Sequence, residues 1–148
     1  MPLNTELRSP YDRVGGLVFF GRMLDKIRLH AAANLHPDYH KNVGKGFDFR
    51  CAEHLGVSYD EIVQRTLAGG TDEEILAWCR AKGGPRTDLQ VEMWNSFLMK
   101  RGWRDSVSDV IQQRVIEYGL QGKGIETFFD LIEYDEGRDP LATQPWKG

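Results

Sequence analysis

Residues 8 to 28 hold the densest group of side chains in this sequence that could bind an anion. The pair Gly15-Gly16 lies just before an apolar segment that predicts a helix, and the unpaired backbone amides at a helix N-terminus attract anions. Guanidinium and ammonium groups nearby would add charge-assisted hydrogen bonds to a carboxylate or phosphate. The sequence therefore predicts a site for an anionic small molecule or an acidic partner, with the candidate binding residues Arg8, Arg13, Gly15, Gly16, Arg22, Asp25, Lys26 and Arg28.

The same charged residues also have a purely structural interpretation. Asp25 is three residues away from both Arg22 and Arg28, a spacing that places side chains on one face of a helix. Such a face is commonly a solvated ladder of ion pairs, which contributes little to stability and binds nothing. The glycine pair also fits neither G-x-x-x-x-G-K-[ST] nor G-x-G-x-x-G, so nucleotide binding by a known loop is not indicated.

A second group of residues has the chemistry of a metal site. His36, His40, Cys51 and His54 offer the nitrogen and sulfur ligands that zinc prefers. Their order departs from the usual C-x2-C…H-x3-H spacing, and Pro37 prevents the first two histidines from sharing a regular helix face. Cys51 and His54 could also form a thiol and imidazole pair for nucleophilic catalysis, but no orienting group accompanies them. We therefore predict neither a metal nor a cofactor.

An enzyme is the alternative to a binding protein. In that interpretation Asp25 acts as a general base held by Arg22 and Lys26, or the histidine and cysteine group holds a metal ion that activates water. Burial distinguishes the first version, because a catalytic carboxylate should lie in a cleft whereas a member of a surface ladder should be exposed.

The elements that must position these residues are mostly helices. Three S/T-x-x-E/Q sequences predict helix starts, because the two side chains of a capping box bond each other's free backbone N–H groups. They are Ser58 with Glu61, Thr71 with Glu74 and Thr87 with Gln90. Helix ends are predicted at Gly69-Gly70, Gly83-Gly84-Pro85 and Gly102. Apolar residues at helical spacing predict core faces on the later helices, including Leu89, Met93, Trp94, Phe97, Leu98, Val110 and Tyr118.

We therefore expect a mainly α, single-domain helical bundle of about six or seven helices with an irregular N-terminal loop region. The loop is expected over residues 1–17, the helical core over 18–136 and the C-terminal tail over 137–148. The first helix should end near Leu35, before Pro37. The tail, which contains two prolines, should be extended unless Trp146 pins it to the domain.

Composition excludes several classes of protein. The chain has 148 residues and a net charge of −3, with +2 in residues 1–55 and −5 in the remainder. Its acidic balance argues against nucleic-acid binding, and no apolar run is long enough to span a membrane. A polar start without a secretory signal and only two cysteines predict a cytoplasmic protein. Trp103 and Trp146 leave a homo-oligomer open as a further prediction.

The N-terminal segment resembles a family of small bacterial proteins known as domain of unknown function 5069. The resemblance lies in "LRSPYDRVGG" followed by "GRMLDKIR", and the later text "HLGVSYDEI" and "TDEEILAW" extends it less specifically. It implies no activity, and its pattern does not include the histidines. The matching residues are Arg8, Ser9, Pro10, Gly15, Gly16, Arg22, Met23, Asp25, Lys26 and Arg28.

Overall fold

Seven α-helices of eight residues or more form most of the molecule, as the sequence predicts. The computed structural model describes residues 6–146, so the expected loop and tail extend beyond it at residues 1–5 and 147–148. The elements are β1 (Arg13–Val14), β2 (Leu17–Val18), α1 (Phe20–Ala31), a 3-10 helix (Pro37–Asn42), α2 (Phe47–Leu55), α3 (Tyr59–Leu67), α4 (Asp72–Gly83), α5 (Asp88–Lys100), α6 (Ser108–Glu117), α7 (Phe128–Asp135) and α8 (Pro140–Thr143). The predicted mainly α class is confirmed.

The N-terminal ends of the helices follow the capping residues. Ser58, Thr71 and Thr87 each accept a hydrogen bond from the backbone N–H three residues later. Among these three, the reciprocal bond of a full capping box forms only at Thr87. A further box, Thr127 with Asp130, starts α7 and escapes the predicted pattern because its third residue is aspartate rather than glutamate or glutamine.

The N-terminal loop region contains a short antiparallel hairpin. Val14 pairs with Leu17, and the two-residue turn between them has positive φ angles of 54° at Gly15 and 82° at Gly16. Positive φ at both central residues is typical of a type I′ turn, which glycine adopts without a steric penalty. Strands of two residues are too short to produce a recognisable alternation of apolar and polar residues.

The first helix is shorter than predicted. It ends at Ala31 rather than near Leu35. Ala33 then takes a left-handed conformation with φ 59°, which stops the helix before Pro37 begins the 3-10 helix. Burial on α1 is strong from its first residue, and Phe20, Met23 and Leu24 are fully enclosed.

Three phenylalanines form the centre of the main hydrophobic core. The ring of Phe19 lies 5.6 Å from that of Phe47 and 6.1 Å from that of Phe129. Residues from β1, β2 and α1 to α5 complete this cluster. A smaller cluster of Ile111, Leu120 and Leu131 lies between α6 and α7.

The predicted apolar face of α5 is wrong in part. Trp94 and Leu98 are buried, whereas Leu89, Met93 and Phe97 are 63%, 62% and 43% exposed. One face of α5 packs against β2 and α7. Leu89, Met93 and Phe97 lie on a neighbouring face of the helix and are therefore exposed to solvent. Val110 and Tyr118, which were also predicted to be core, are exposed as well.

The C-terminal segment is more ordered than the predicted extended tail. It forms α8, and the amide of Gln144 is buried, donating to Asp130 Oδ1 at 2.9 Å and to the Gly124 carbonyl at 3.2 Å. The ring of Trp146 lies edge-on to Tyr11 at 6.1 Å. In the described part of the chain no helix is long and apolar enough to cross a bilayer.

Candidate functional site

The structure divides the eight predicted binding residues among three places. Arg8, Asp25 and Arg28 join an ion-pair network with α4. Arg22 and Lys26 are buried against the C-terminal part of the chain and α2. The remaining three, Arg13, Gly15 and Gly16, lie at the β-hairpin.

The first place is a closed network of two arginines and two aspartates. Arg8 Nε and Nη2 donate to the two carboxylate oxygens of Asp25, each at 2.9 Å. Arg8 Nη1 and Arg28 Nη1 donate to opposite oxygens of Asp72 at 2.7 and 2.8 Å. Burial alone would raise the pKa of Asp72, but the two guanidinium groups outweigh it and lower that pKa. The four charges cancel, which leaves no net attraction for an outside anion.

These contacts correct the predicted surface ladder on α1. Asp25 pairs with Arg8 rather than with Arg22 or Arg28, which bind Glu136 and Asp72 instead. The arrangement expected of a general base, with Asp25 held by Arg22 and Lys26, does not form. Asp25 instead ties the N-terminal segment to α1.

The second place is centred on Arg22, whose side chain is only 3% exposed. It binds both carboxylate oxygens of Glu136, and the hydroxyl of Tyr39 donates to the same carboxylate at 2.6 Å. Arg138 adds a further bond to Glu136 at 2.8 Å. Burial would raise the pKa of Glu136, but these donors, Arg22 first among them, lower it.

Lys26 lies one helical turn from Arg22 and is also buried. Its Nζ is 2.7 Å from Asp48 Oδ1, and the two side chains are 8% and 0% exposed. Burial lowers the pKa of Lys26, while Asp48 opposes this shift. The ammonium group also lies over the ring of Phe19, 5.3 Å from its centroid.

A cleft opens beside these two buried cations. We call it the α1–α7 cleft; it has a volume of about 490 Å³ and lies between α1, the 3-10 helix, α2, α6 and α7. Its apolar surface comes from Phe19, Phe47, Phe128, Leu131 and Ile132, and its polar lining includes Arg22, Lys26, Tyr39, Lys45, Arg101, Arg114, Asp38 and Asp135. An apolar cavity of this size with a few convergent polar groups is typical of a small-molecule site.

The charges around the α1–α7 cleft are arranged asymmetrically. Five cationic side chains line it against two carboxylates, Asp38 and Asp135. The partners of Arg22 and Lys26, namely Glu136 and Asp48, are not among the residues that line it. Arg101 is also paired, with Asp105, whereas Lys45 and Arg114 make no ion pair with any residue in the described part of the chain. Burial and nearby Glu136 raise the pKa of Asp135, although Arg114 opposes this shift.

The third place is a polar groove beside the hairpin turn, which we call the hairpin groove. Arg13, Gly15 and Gly16 line it together with Arg80 from the end of α4 and Arg86 from the α4–α5 connection. Sequence reasoning missed the last two arginines because they lie more than sixty residues away from the hairpin. Their spacing carries no signal that could have joined them to it.

The histidine and cysteine residues do not converge on a metal. Within residues 6–146 no three His, Cys, Asp or Glu side chains are placed to hold one. His54 stacks on Trp94 at 4.9 Å, and His40 lies against His30 at 4.9 Å. His36 instead caps the 3-10 helix, accepting a hydrogen bond from the backbone N–H of Asp38.

Cys51 does not have the environment of a nucleophile. The thiol is fully buried, and burial raises its pKa far above the ordinary value, with Asp48 acting in the same direction. Burial, together with Arg86 and Arg80, lowers the pKa of His54, so the imidazole is neutral. The environment of Cys51 therefore disfavours the thiolate that nucleophilic catalysis would need.

The signal for the buried acids was present in the sequence only in part. Arg22 directly precedes Met23, and Lys26 directly precedes Ile27, so two cations lie beside an apolar stripe of the helix. Cations that are buried with such a stripe require carboxylate partners. Glu136 lies 114 residues from Arg22, and nothing local identifies it among the chain's acids.

The comparisons with known proteins agree with the N-terminal resemblance. No curated protein matches the chain. The family model described as Domain of unknown function (DUF5069) matches residues 4–138, which is most of the chain, and so the protein belongs to this family.

Proposed function

We propose that this protein binds a small amphipathic organic anion in the α1–α7 cleft. The observation that carries the proposal is an apolar cavity whose lining includes two exposed cations, Lys45 and Arg114, that make no ion pair in the described part of the chain. Arg22 and Lys26 also line this cavity, and their carboxylate partners do not. Of the eight residues that the sequence predicts for an N-terminal anion site, Arg22 and Lys26 line this cleft.

The apolar surface of the cleft favours a ligand with a hydrophobic body. Phe47 and Phe128 are partly exposed aromatic side chains of the lining, and rings in such sites pack against flat or aliphatic ligands. An acetate or a bare phosphate would leave this surface in water. The ligand therefore needs an apolar part comparable in size to one or two aromatic rings.

The cations favour an acidic group at the other end of the ligand. Lys45 and Arg114 are exposed at the cleft and make no ion pair with any residue in the described part of the chain. A carboxylate or sulfonate would accept charge-assisted hydrogen bonds from them. The hydrogen bonds of Tyr39 and Arg138 to Glu136 hold Arg22 in place, so little ordering is needed on binding.

Isothermal titration calorimetry with three matched probes tests the proposal. 2-Naphthoate has both an aromatic body and a carboxylate, 2-naphthalenemethanol has the body alone, and acetate has the charge alone. We expect saturable, equimolar binding of 2-naphthoate and no saturable binding of the other two. Equal binding of the neutral alcohol would contradict the anionic class, and no binding of 2-naphthoate would contradict the cleft as an amphipathic site.

Charge-reversed variants locate the binding. Lys45→Glu and Arg114→Glu change exposed side chains, so both variants should remain folded, and each should weaken 2-naphthoate binding by about tenfold. Lys100→Glu makes the same charge change at an exposed position on α5 that does not line the cleft. If Lys100→Glu weakens binding as much as the other two, the interaction is long-range attraction rather than a site.

We also propose that the protein acts in the cytoplasm. Both cysteines, Cys51 and Cys79, are buried as free thiols, which suits a reducing compartment. Fractionation of cells that express the tagged protein tests this location, and recovery in a secreted or membrane fraction would contradict it.

A further inference from the structure

We infer that the hairpin groove is a second binding site, which takes a phosphate group, either free or carried by a small hydrophilic molecule. The groove has a volume of about 780 Å³ and shares no lining residue with the α1–α7 cleft. It lies between the hairpin turn, the end of α4 and one face of α5 from Asp88 to Met99. The inference therefore stands or falls independently of the proposed function.

The arginines of the groove differ from those of α1 in having no carboxylate partner. Arg8, Arg22 and Arg28 are each neutralised by an aspartate or glutamate. Arg13 and Arg80, in contrast, make no ion pair with any residue between 6 and 146. Arg86 also makes no ion pair with these residues. Its guanidinium group donates instead to the backbone carbonyls of the α4–α5 connection and to the carbonyl of His54.

Arg80 is the least satisfied of the three guanidinium groups. Of its N–H groups only Nη2 has a partner in the described structure, the Gly15 carbonyl at a long 3.3 Å. Its Nε is buried without a hydrogen bond. An oxyanion in the groove would accept charge-assisted hydrogen bonds from the Nη groups of Arg80.

The hairpin turn is built to lie against Arg80. A Cβ atom on Gly15 would come within 2.6 Å of Leu76 Cδ2 and 3.6 Å of Arg80 Nη1. Glycine at this position therefore lets the backbone approach the guanidinium group directly. The Gly16 carbonyl accepts a hydrogen bond from the Asn95 side chain at 2.8 Å, and Asn95 also accepts one from the Val18 N–H, which fixes the turn on α5.

The chemistry of the groove selects a compact hydrophilic anion. Guanidinium groups match the oxygens of phosphate in bidentate geometry. The groove has no aromatic surface like that of the α1–α7 cleft, so an amphipathic ligand gains little there. Asp88 and Glu92 also line it, so the groove holds three guanidinium groups against two carboxylates and favours a ligand with a single anionic group. The ligand is therefore phosphate itself or a phosphomonoester whose remaining part is uncharged.

Calorimetric titrations with inorganic phosphate and with glycerol 3-phosphate at constant ionic strength test the inference. We expect saturable binding of at least one of them. Tighter binding of inorganic phosphate would identify the free ion as the ligand, and tighter binding of glycerol 3-phosphate would identify a phosphorylated small molecule. No saturable heat with either probe would overturn the inference.

Two sets of charge reversals serve as controls for each other. Arg13→Glu changes an exposed residue of the groove and should weaken phosphate binding by about tenfold or more while leaving 2-naphthoate binding unchanged. Arg80→Gln should have the same effect on phosphate. Lys45→Glu should leave phosphate binding unchanged. Equal weakening of phosphate binding by Arg13→Glu and Lys45→Glu would show non-specific attraction and overturn the site.

Discussion

Arg22 and Lys26 are buried one helical turn apart on α1, and each is paired with a carboxylate from a distant part of the chain. Glu136 comes from the end of α7 and Asp48 from α2. Taking a charge out of water costs several kcal/mol unless its partner is present in good geometry. The two cations therefore specify how α1 packs against α2 and α7.

Removal of Arg22 should be far more destabilising than removal of an exposed cation. Arg22→Met leaves Glu136 buried with only part of its hydrogen bonds, so we expect the free energy of unfolding to fall by about 3–5 kcal/mol. Lys82→Met is the control, because the Lys82 and Glu61 side chains are 46% and 41% exposed and the loss of their pair should have little effect. Urea denaturation of both variants measures the difference, and equal losses would contradict the structural role of Arg22.

Glu136 should make stability depend on acid pH. Its pKa in the folded protein lies below the unfolded value of about 4.3, so its ionised form favours folding. That contribution is complete above the unfolded pKa and is lost as the pH falls through the folded pKa. We expect wild type to be more stable than Glu136→Gln at neutral pH and the difference to shrink as the pH falls below about 4. A difference that stays constant with pH would contradict this interpretation.

At this scale the sequence identifies the charged residues of interest but not the residues with which they form ion pairs. The charged cluster at residues 8–28 is visible, and its structural and binding interpretations both follow from its spacing. The partners are not visible, because Asp72, Asp48 and Glu136 reach α1 only through tertiary packing. A local rule such as the three-residue ladder gave the wrong pairs for that reason.

Helix starts, in contrast, are well predicted because capping is a local interaction. Ser58, Thr71 and Thr87 each bond a backbone N–H three residues away, so sequence spacing contains the whole interaction. Which face of α5 is buried, in contrast, is not decided by local interactions. Leu89, Met93 and Phe97 are apolar at helical spacing, yet which face is covered depends on where β2 and α7 lie.

Gly21 lies where α1 contacts the N-terminal segment. We expect its substitution by alanine to destabilise the protein, which is the opposite of the effect that helix propensity predicts. Alanine inside a helix normally stabilises it by about 1 kcal/mol relative to glycine. Here a Cβ atom would lie 2.8 Å from both Arg8 Cζ and Arg8 Nη1. Because Arg8 is fixed by bonds to Asp25, Asp72 and the Gly21 carbonyl, it cannot move without losing them. Gly21→Ala should therefore lower the free energy of unfolding by about 1–3 kcal/mol.

A double-mutant cycle separates this clash from other effects. In an Arg8→Ala background the guanidinium group is gone, so Gly21→Ala should cost much less than in wild type. Thermal unfolding of the four proteins gives the coupling energy. If Gly21→Ala has the same effect in both backgrounds, Arg8 is not the residue that requires glycine at this position.

For the molecule as a whole, the separation of the two proposed sites has a measurable consequence. A ligand at about 100 times its dissociation constant stabilises the folded state by about 2.7 kcal/mol. The α1–α7 cleft and the hairpin groove share no lining residue, so the increases in melting temperature caused by 2-naphthoate and by phosphate should add. A combined increase no larger than the greater single increase would indicate that both probes compete for one site.

The central claim is that the α1–α7 cleft binds an amphipathic anion, and a ¹⁵N-labelled NMR titration with 2-naphthoate tests it most directly. The account predicts saturable shifts of backbone amides that border the cleft, among them those of Gly46, Phe47 and Phe128. The amides of the exposed face of α5, such as Met93, should not move. Shifts confined to α5, or no saturable shift at any amide, would contradict the claim.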